Sequence, residues 1–156
     1  GTIVITAGDK ELFFSDSETT VHVKLFVGSF PDWESAIPKE DGVMGTLSIT
    51  ANELDRMFSR ASVAASPTLP KVDCELTTGN ISLKAQSEER GEAVVNAQVN
   101  YAGKDLAIML RPELVYQIFK ALGTEEISVQ FTDAATPVRI VAANSIYLAM
   151  PITPQT

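Results

Sequence analysis

The chain is poor in the residues that do chemistry. Its 156 residues hold one cysteine, Cys74, and one histidine, His22. A lone cysteine closes no intrachain disulfide, and with a lone histidine it leaves a zinc site two ligands short unless carboxylates complete it. No G-x-S-x-G, H-E-x-x-H or glycine-rich phosphate loop occurs, so the common nucleophilic, metallohydrolase and nucleotide-binding signatures are missing. Glu88, Glu89 and Glu92 form the densest carboxylate group, but they fall in a predicted hairpin turn. Neither catalysis nor a cofactor or metal is expected.

Long apolar runs are lacking too. Nothing approaches the roughly 18 residues that span a bilayer, and no basic stretch leads into an apolar one at the N-terminus. A soluble, cytoplasmic protein with no membrane partner is expected. Positive charge is scarce: 12 Lys and Arg stand against 20 Asp and Glu, for a net charge of -8. That disfavours a surface that is basic overall and leaves room only for a local basic patch.

What the chain does have is hydrophobic patterning, with 45% apolar residues, enough for one folded domain and part of another. Residues 3–6, 12–14 and 19–27 read as an antiparallel meander separated by Gly, Asp and Ser turns. No helix accompanies these three strands, which cannot bury a face alone. The stretch GSFPDWESAIPK follows, a connection bracketed by prolines yet carrying Phe30, Trp33 and Ile37.

Beyond it, residues 46–50 read as a strand, and a helix starts near Asn52 with Leu54, Met57, Phe58, Ala61 and Ala65 at helical spacing. Three strands follow, at 72–77, 81–86 and 93–99. The same order then recurs. Residues 105–110 are a strand, Pro112 suits a first helical position, and Leu114, Val115, Ile118, Phe119 and Leu122 make an apolar stripe ended by Gly123. Three more strands cover 127–132, 138–141 and 146–149. Two copies of strand, helix and three strands, each about 50 to 60 residues long, predict one pseudo-symmetric α+β domain.

Four separated segments, GSFPDWESAIPK, MLRPELVYQIFKAL, SVQFTDAATPVRI and YLAMP, together resemble the bacterial DNA polymerase III β sliding clamp. The resemblance implies a DNA-clamp fold, with repeated strand-helix-three-strand units, antiparallel sheets outside and helices on one face. Residues 1–27 would be the back half of a middle clamp domain, 28–42 an interdomain linker, 43–153 the C-terminal clamp domain and 154–156 a tail running past the usual Met-Pro ending. Phe30, Trp33 and Ile37 would then be buried where the linker crosses between domains, with Pro31 and Pro38 stiffening it.

The same resemblance implies a processivity factor, not an enzyme. Double-stranded DNA would be encircled without sequence preference, with Arg56, Arg60 and Lys120 on the inner helical face turned to phosphate. DNA polymerase, clamp loader and repair proteins would dock a short motif, with a glutamine and apolar anchors, into a hydrophobic pocket. Its wall would include Pro31, Leu69, Arg111, Leu114, Pro137, Leu148, Met150, Pro151 and Ile152. Arg111 and Leu114 stand where the family usually has Asn and Tyr. A homo-oligomer is implied, since clamps close into rings. A clamp-like adaptor that binds peptides without encircling DNA is the alternative.

Overall fold

The computed structural model describes residues 1–153; the predicted tail, 154–156, lies outside the described residues. The chain divides into two units, Gly1–Trp33 and a second that begins at Glu34.

The first unit is the meander: β1 (Val4–Ala7), β2 (Glu11–Ser15) and β3 (Thr20–Lys24), antiparallel in the order β1-β2-β3. Its register puts Ile5, Phe14 and Val21 in one row and Leu12 beside Val23. One face is therefore apolar. The opposite face carries Thr6, His22 and Lys24, with His22 Nε2 2.7 Å from Glu11 Oε2 and its ring stacked on Phe13. No residue of the three strands is buried.

The linker differs from expectation. Phe30 is 84% exposed and Trp33 56% exposed; Ile37 and Pro38 are half-buried. Residues 28–33 have no regular structure and place their rings in no apolar layer.

The second unit contains β4 (Gly45–Thr50), α1 (Ala51–Ser62), β5 (Val72–Thr77), β6 (Asn80–Ser87), β7 (Gly91–Gln98), β8 (Asn100–Gly103), β9 (Leu106–Leu110), α2 (Pro112–Leu122), β10 (Glu126–Phe131), β11 (Val138–Ala142) and β12 (Ser145–Ala149). The repeat is present with one addition, β8, in the stretch that the sequence pattern leaves unassigned between the strands expected at 93–99 and 105–110. The chain leaves one sheet at Gln98 and enters the other at Asn100.

The two sheets, β12-β11-β10-β4-β8 and β7-β6-β5-β9, are wholly antiparallel. They are built by exchange. The first strand of each repeat pairs with the other repeat's meander: β4 with β10, and β9 with β5.

Alternation along the strands sends one face inward: Val72, Cys74 and Leu76 from β5, Ile81, Leu83 and Ala85 from β6, Ile127, Val129 and Phe131 from β10. Helix α1 packs on this core through Leu54, Met57, Phe58 and Ala61, and α2 through Val115, Phe119 and Leu122. The helices meet with Phe58 and Phe119 edge to face, ring centroids 6.2 Å apart.

Helix α1 starts one residue before Asn52 because Thr50 caps it. The Thr50 hydroxyl accepts from the Glu53 backbone N–H at 3.2 Å, and the Glu53 carboxylate accepts from Thr50 in return, a capping box. Thr50→Ala is expected to cost about 1 kcal/mol, read as a fall of a few degrees in the thermal midpoint.

Candidate functional site

Two surfaces of the second unit carry the predicted residues. On α1, Leu54, Met57, Phe58 and Ala61 take the inward face, so helical geometry turns Arg56 and Arg60, four residues apart, outward together. Both line a groove of about 460 Å³ between α1 and the corner where β7 gives way to β8; Gln98 and Asn100 form its far wall. On α2, Lys120 is exposed, its Nζ 5.9 Å from the Tyr116 ring centroid.

These cations are not alone. Glu53, Asp55 and Glu113 lie in the first half of the same helices, where the helix dipole favours them. Carboxylates and cations therefore share the two helices: Glu53 lines the same groove as Arg56 and Arg60, whereas Asp55 and Glu113 line another. A larger groove, about 640 Å³, lies between the helices, lined by Asp55, Ser59, Tyr116, Gln117 and Arg90 among others. None of the predicted site residues lines it. Its walls come from residues distant in sequence, which no local motif marks.

The second surface is built by strand pairing. In the β11–β12 ladder Arg139 faces Leu148 and Val138 faces Ala149. Val138, Ile140 and Ala149 point inward and are buried, so Arg139 and Leu148 point outward. Pro137, two residues before Arg139, and Met150, two after Leu148, continue on that outer side. Pro137 and Leu148 are half-buried, and Met150 is 57% exposed.

The chain then turns in. Pro151 is buried, and the Ile152 N–H donates to the Met109 carbonyl at 2.8 Å. This bond ties the end of one sheet's edge strand, β12, to the other sheet's edge strand, β9.

The remaining predicted residues are placed separately. Arg111 is exposed at the N-cap of α2 and makes no side-chain cap bond; Leu114, in the first turn, is 43% exposed. Leu114 thus leaves the buried stripe that helical spacing assigns it. Leu69 is exposed in the connection between α1 and β5, and Pro31 belongs to the first unit.

Loop geometry supports this end of β11. The Asp133 carboxylate accepts from the backbone N–H groups of Ala135, at 2.8 Å, and Thr136, at 2.6 Å, and from the Thr136 hydroxyl at 2.9 Å. The Ala135 bond, then those of Thr136, hold its pKa below the ordinary carboxylate value. The anion therefore keeps the turn before Pro137 through the usual carboxylate range and releases it only in stronger acid.

Sequence reasoning missed Arg139, Gln130 and Glu40. Arg139 Nη2 donates to Glu40 Oε1 at 2.8 Å and Nη1 to Gln130 Oε1 at 2.9 Å. The available signal was a guanidinium interrupting the apolar run VRIVA.

A family model described as DNA polymerase III beta subunit, C-terminal domain, matches residues 34–155. Among curated relatives, a beta sliding clamp of Proteus mirabilis is 28% identical over 132 residues, covering 83% of this chain and 35% of that protein. One of Pseudomonas aeruginosa is 26% identical, covering 97% and 42%. The chain thus spans about two fifths of the length of these relatives. The crystal structure of the DNA polymerase III subunit beta from Pseudomonas aeruginosa superposes on 97% of the chain with a TM-score of 0.88 at 23% identity, using 42% of that structure. A DNA polymerase sliding clamp from Bacillus subtilis gives 0.87 at 23% identity, with 98% and 41% covered. At such identities the structural likeness speaks for the fold.

Proposed function

The chain belongs to the family formed by the C-terminal domain of the DNA polymerase III beta subunit, and from that premise we propose that it serves as part of a sliding clamp. Its role is then structural and not catalytic: to help hold double-stranded DNA without reading its sequence, and to dock polymerase, clamp loader and repair proteins through short peptides. Its work at replicating DNA is in the cytoplasm, at the nucleoid. Ring closure calls for further copies or further chain.

The observation that carries this reading is the family match over most of the second unit. Arg56 and Arg60, side by side on an exposed helical face, supply the phosphate contacts. Such contacts act through counterion release and weaken steeply with salt.

Reversing both charges, Arg56→Glu with Arg60→Glu, tests it. Retention on a closed circular duplex at low salt is expected to fall on the order of tenfold, with the salt slope shallower by about two. Equal retention by the variant and the parent would remove these arginines from the DNA-facing role.

A second reading, a clamp-like adaptor that binds peptides and does not encircle DNA, draws on the charge balance of the helices, where Glu53, Asp55 and Glu113 offset the three cations. It predicts peptide binding with no retention of circular DNA by the parent protein at any salt concentration.

A further inference from the structure

Arg139 is 8% exposed, and among the described residues no other charged side chain is buried. It stands next to the end of a row that crosses the five-stranded sheet: Ala102, Thr46, Gln130, Arg139, Leu148. All five side chains share the outer face, and Pro137 and Met150 lie one rung further along it. Arg139 is therefore the immediate neighbour of three of the apolar residues assigned to the candidate peptide-binding surface.

Its bonds join that surface to another part of the chain. Nη1 takes Gln130 on the adjacent strand, whereas Nη2 takes Glu40, in a short 3-10 turn at Glu40–Gly42. The turn is closed internally by Gly42 N–H to Lys39 O and Val43 N–H to Glu40 O, both 3.2 Å. The Met44 N–H, bonded to Phe131 O at 2.7 Å, fixes the chain where it enters β4. Arg139 supplies the side-chain bond that holds Glu40 against the sheet.

The ion pair is lopsided. The Glu40 side chain is 78% exposed and the Arg139 side chain 10% exposed, and Arg139 Nε is buried without a partner. A buried guanidinium with an unused N–H is a poor way to gain stability, since its desolvation offsets the attraction. A planar fork that grips two acceptors at once is, however, a good way to fix geometry.

We propose that Arg139 is a positioning residue for the peptide-binding surface: by clamping Glu40 and Gln130 together it fixes its own side chain and the 40–42 turn as a preformed wall on the β10 side of Leu148. The proposal rests on the reading that Pro137, Leu148 and Met150 bind peptide. A wall held in place before the ligand arrives spares the ligand the cost of ordering it, so the clamp contributes to affinity without touching the peptide.

The test uses the whole chain and a fluorescein-labelled synthetic hexapeptide with one glutamine and two leucine anchors, titrated by anisotropy. Arg139→Met keeps the volume and removes the fork. Glu40→Gln keeps the shape and removes the charge. Each is expected to weaken binding about fivefold while the thermal midpoint stays level or, for Arg139→Met, rises. Leu148→Ala and Met150→Ala are run beside them. If those two weaken binding and both clamp variants bind like the parent, the positioning role is wrong and the surface assignment stands. If the clamp variants lose affinity only in step with a lowered midpoint, Arg139 is a structural residue and the proposal falls. If Leu148→Ala and Met150→Ala also bind like the parent, the surface assignment itself fails.

Discussion

Gly103→Ala is expected to cost the second unit about 4 kcal/mol. Two effects add. Gly103 has φ +153°, a region that side-chain-bearing residues adopt only at about 1–3 kcal/mol of strain. A methyl group there would also collide with the Gly45 Cα and the Met44 carbonyl, and overpacking of rigid backbone costs about 1–3 kcal/mol more.

The closeness has a structural reason. Gly45 and Gly103 are paired across β4 and β8, and Tyr101 lies over Gly45, its hydroxyl donating to the Lys104 carbonyl at 2.5 Å and its ring edge to face with Phe131 at 6.2 Å. Facing glycines let the edge strand close on β4 with the ring tucked between. Against a typical stability of about 5–15 kcal/mol, the loss removes a large share, and urea titration by circular dichroism should show the midpoint displaced at unchanged slope. A midpoint within error of the parent would mean that β8 is not held against β4.

The second large effect concerns Cys74. Burial, with a smaller push from the neighbouring Glu75 carboxylate, raises its thiol pKa to about 12. The thiolate is the reactive form, so at pH 8 its fraction is about a thousandfold below that of an exposed cysteine. Native protein should therefore leave a thiol-specific chromogenic disulfide untouched for hours, and the same protein in urea should react within minutes. Fast labelling of the native state would place Cys74 outside the core.

The sign of the pH dependence follows. From about pH 9 to about pH 12 the unfolded chain has released the Cys74 proton and the folded chain retains it. The unfolded state binds fewer protons, so stability falls with rising pH across that window and is unaffected by this group below it. Cys74→Ala should flatten the decline.

Cys74 also marks how far the sequence carries. Its place among Val72 and Leu76 at a spacing of two gives both strand and burial, and the repeat of strand, helix and strands is legible because its elements have their own periods and stops, as at Gly123 and the hairpin turns; α1, however, ends at Ser62, short of the Ala65 that helical spacing includes. The Thr50-x-x-Glu53 box also stands in the sequence, and it begins the helix at Ala51, one residue ahead of the start expected near Asn52. The corner at Val99 could not be read. Residues 91–103 are extended almost throughout, and a strand that changes sheets differs from one that does not only in its distant partners. The same limit hides the contact of Glu40 with Arg139, and the shared outer side of Pro137, Leu148 and Met150 emerges only once the register of β11 against β12 is known. Phe30 and Trp33 illustrate the opposite error. Apolar residues in a connection argue for a covering surface, yet the linker leaves both rings exposed.

The exchange of first strands between the two repeats bears on how the protein is made. Ile49 of β4 faces Ile127 of β10, so the five-stranded sheet has no centre until the last third of the second unit has been synthesised. Helix α1, the β5–β6–β7 hairpins and the β4–β8 pairing can form as they emerge, but the other edge of β4 must wait for a strand still inside the ribosome. Long-range pairing of this kind slows folding and lengthens exposure to aggregation. Nascent chains stalled before residue 126 would accordingly be clients for a chaperone, whatever the stability of the finished protein.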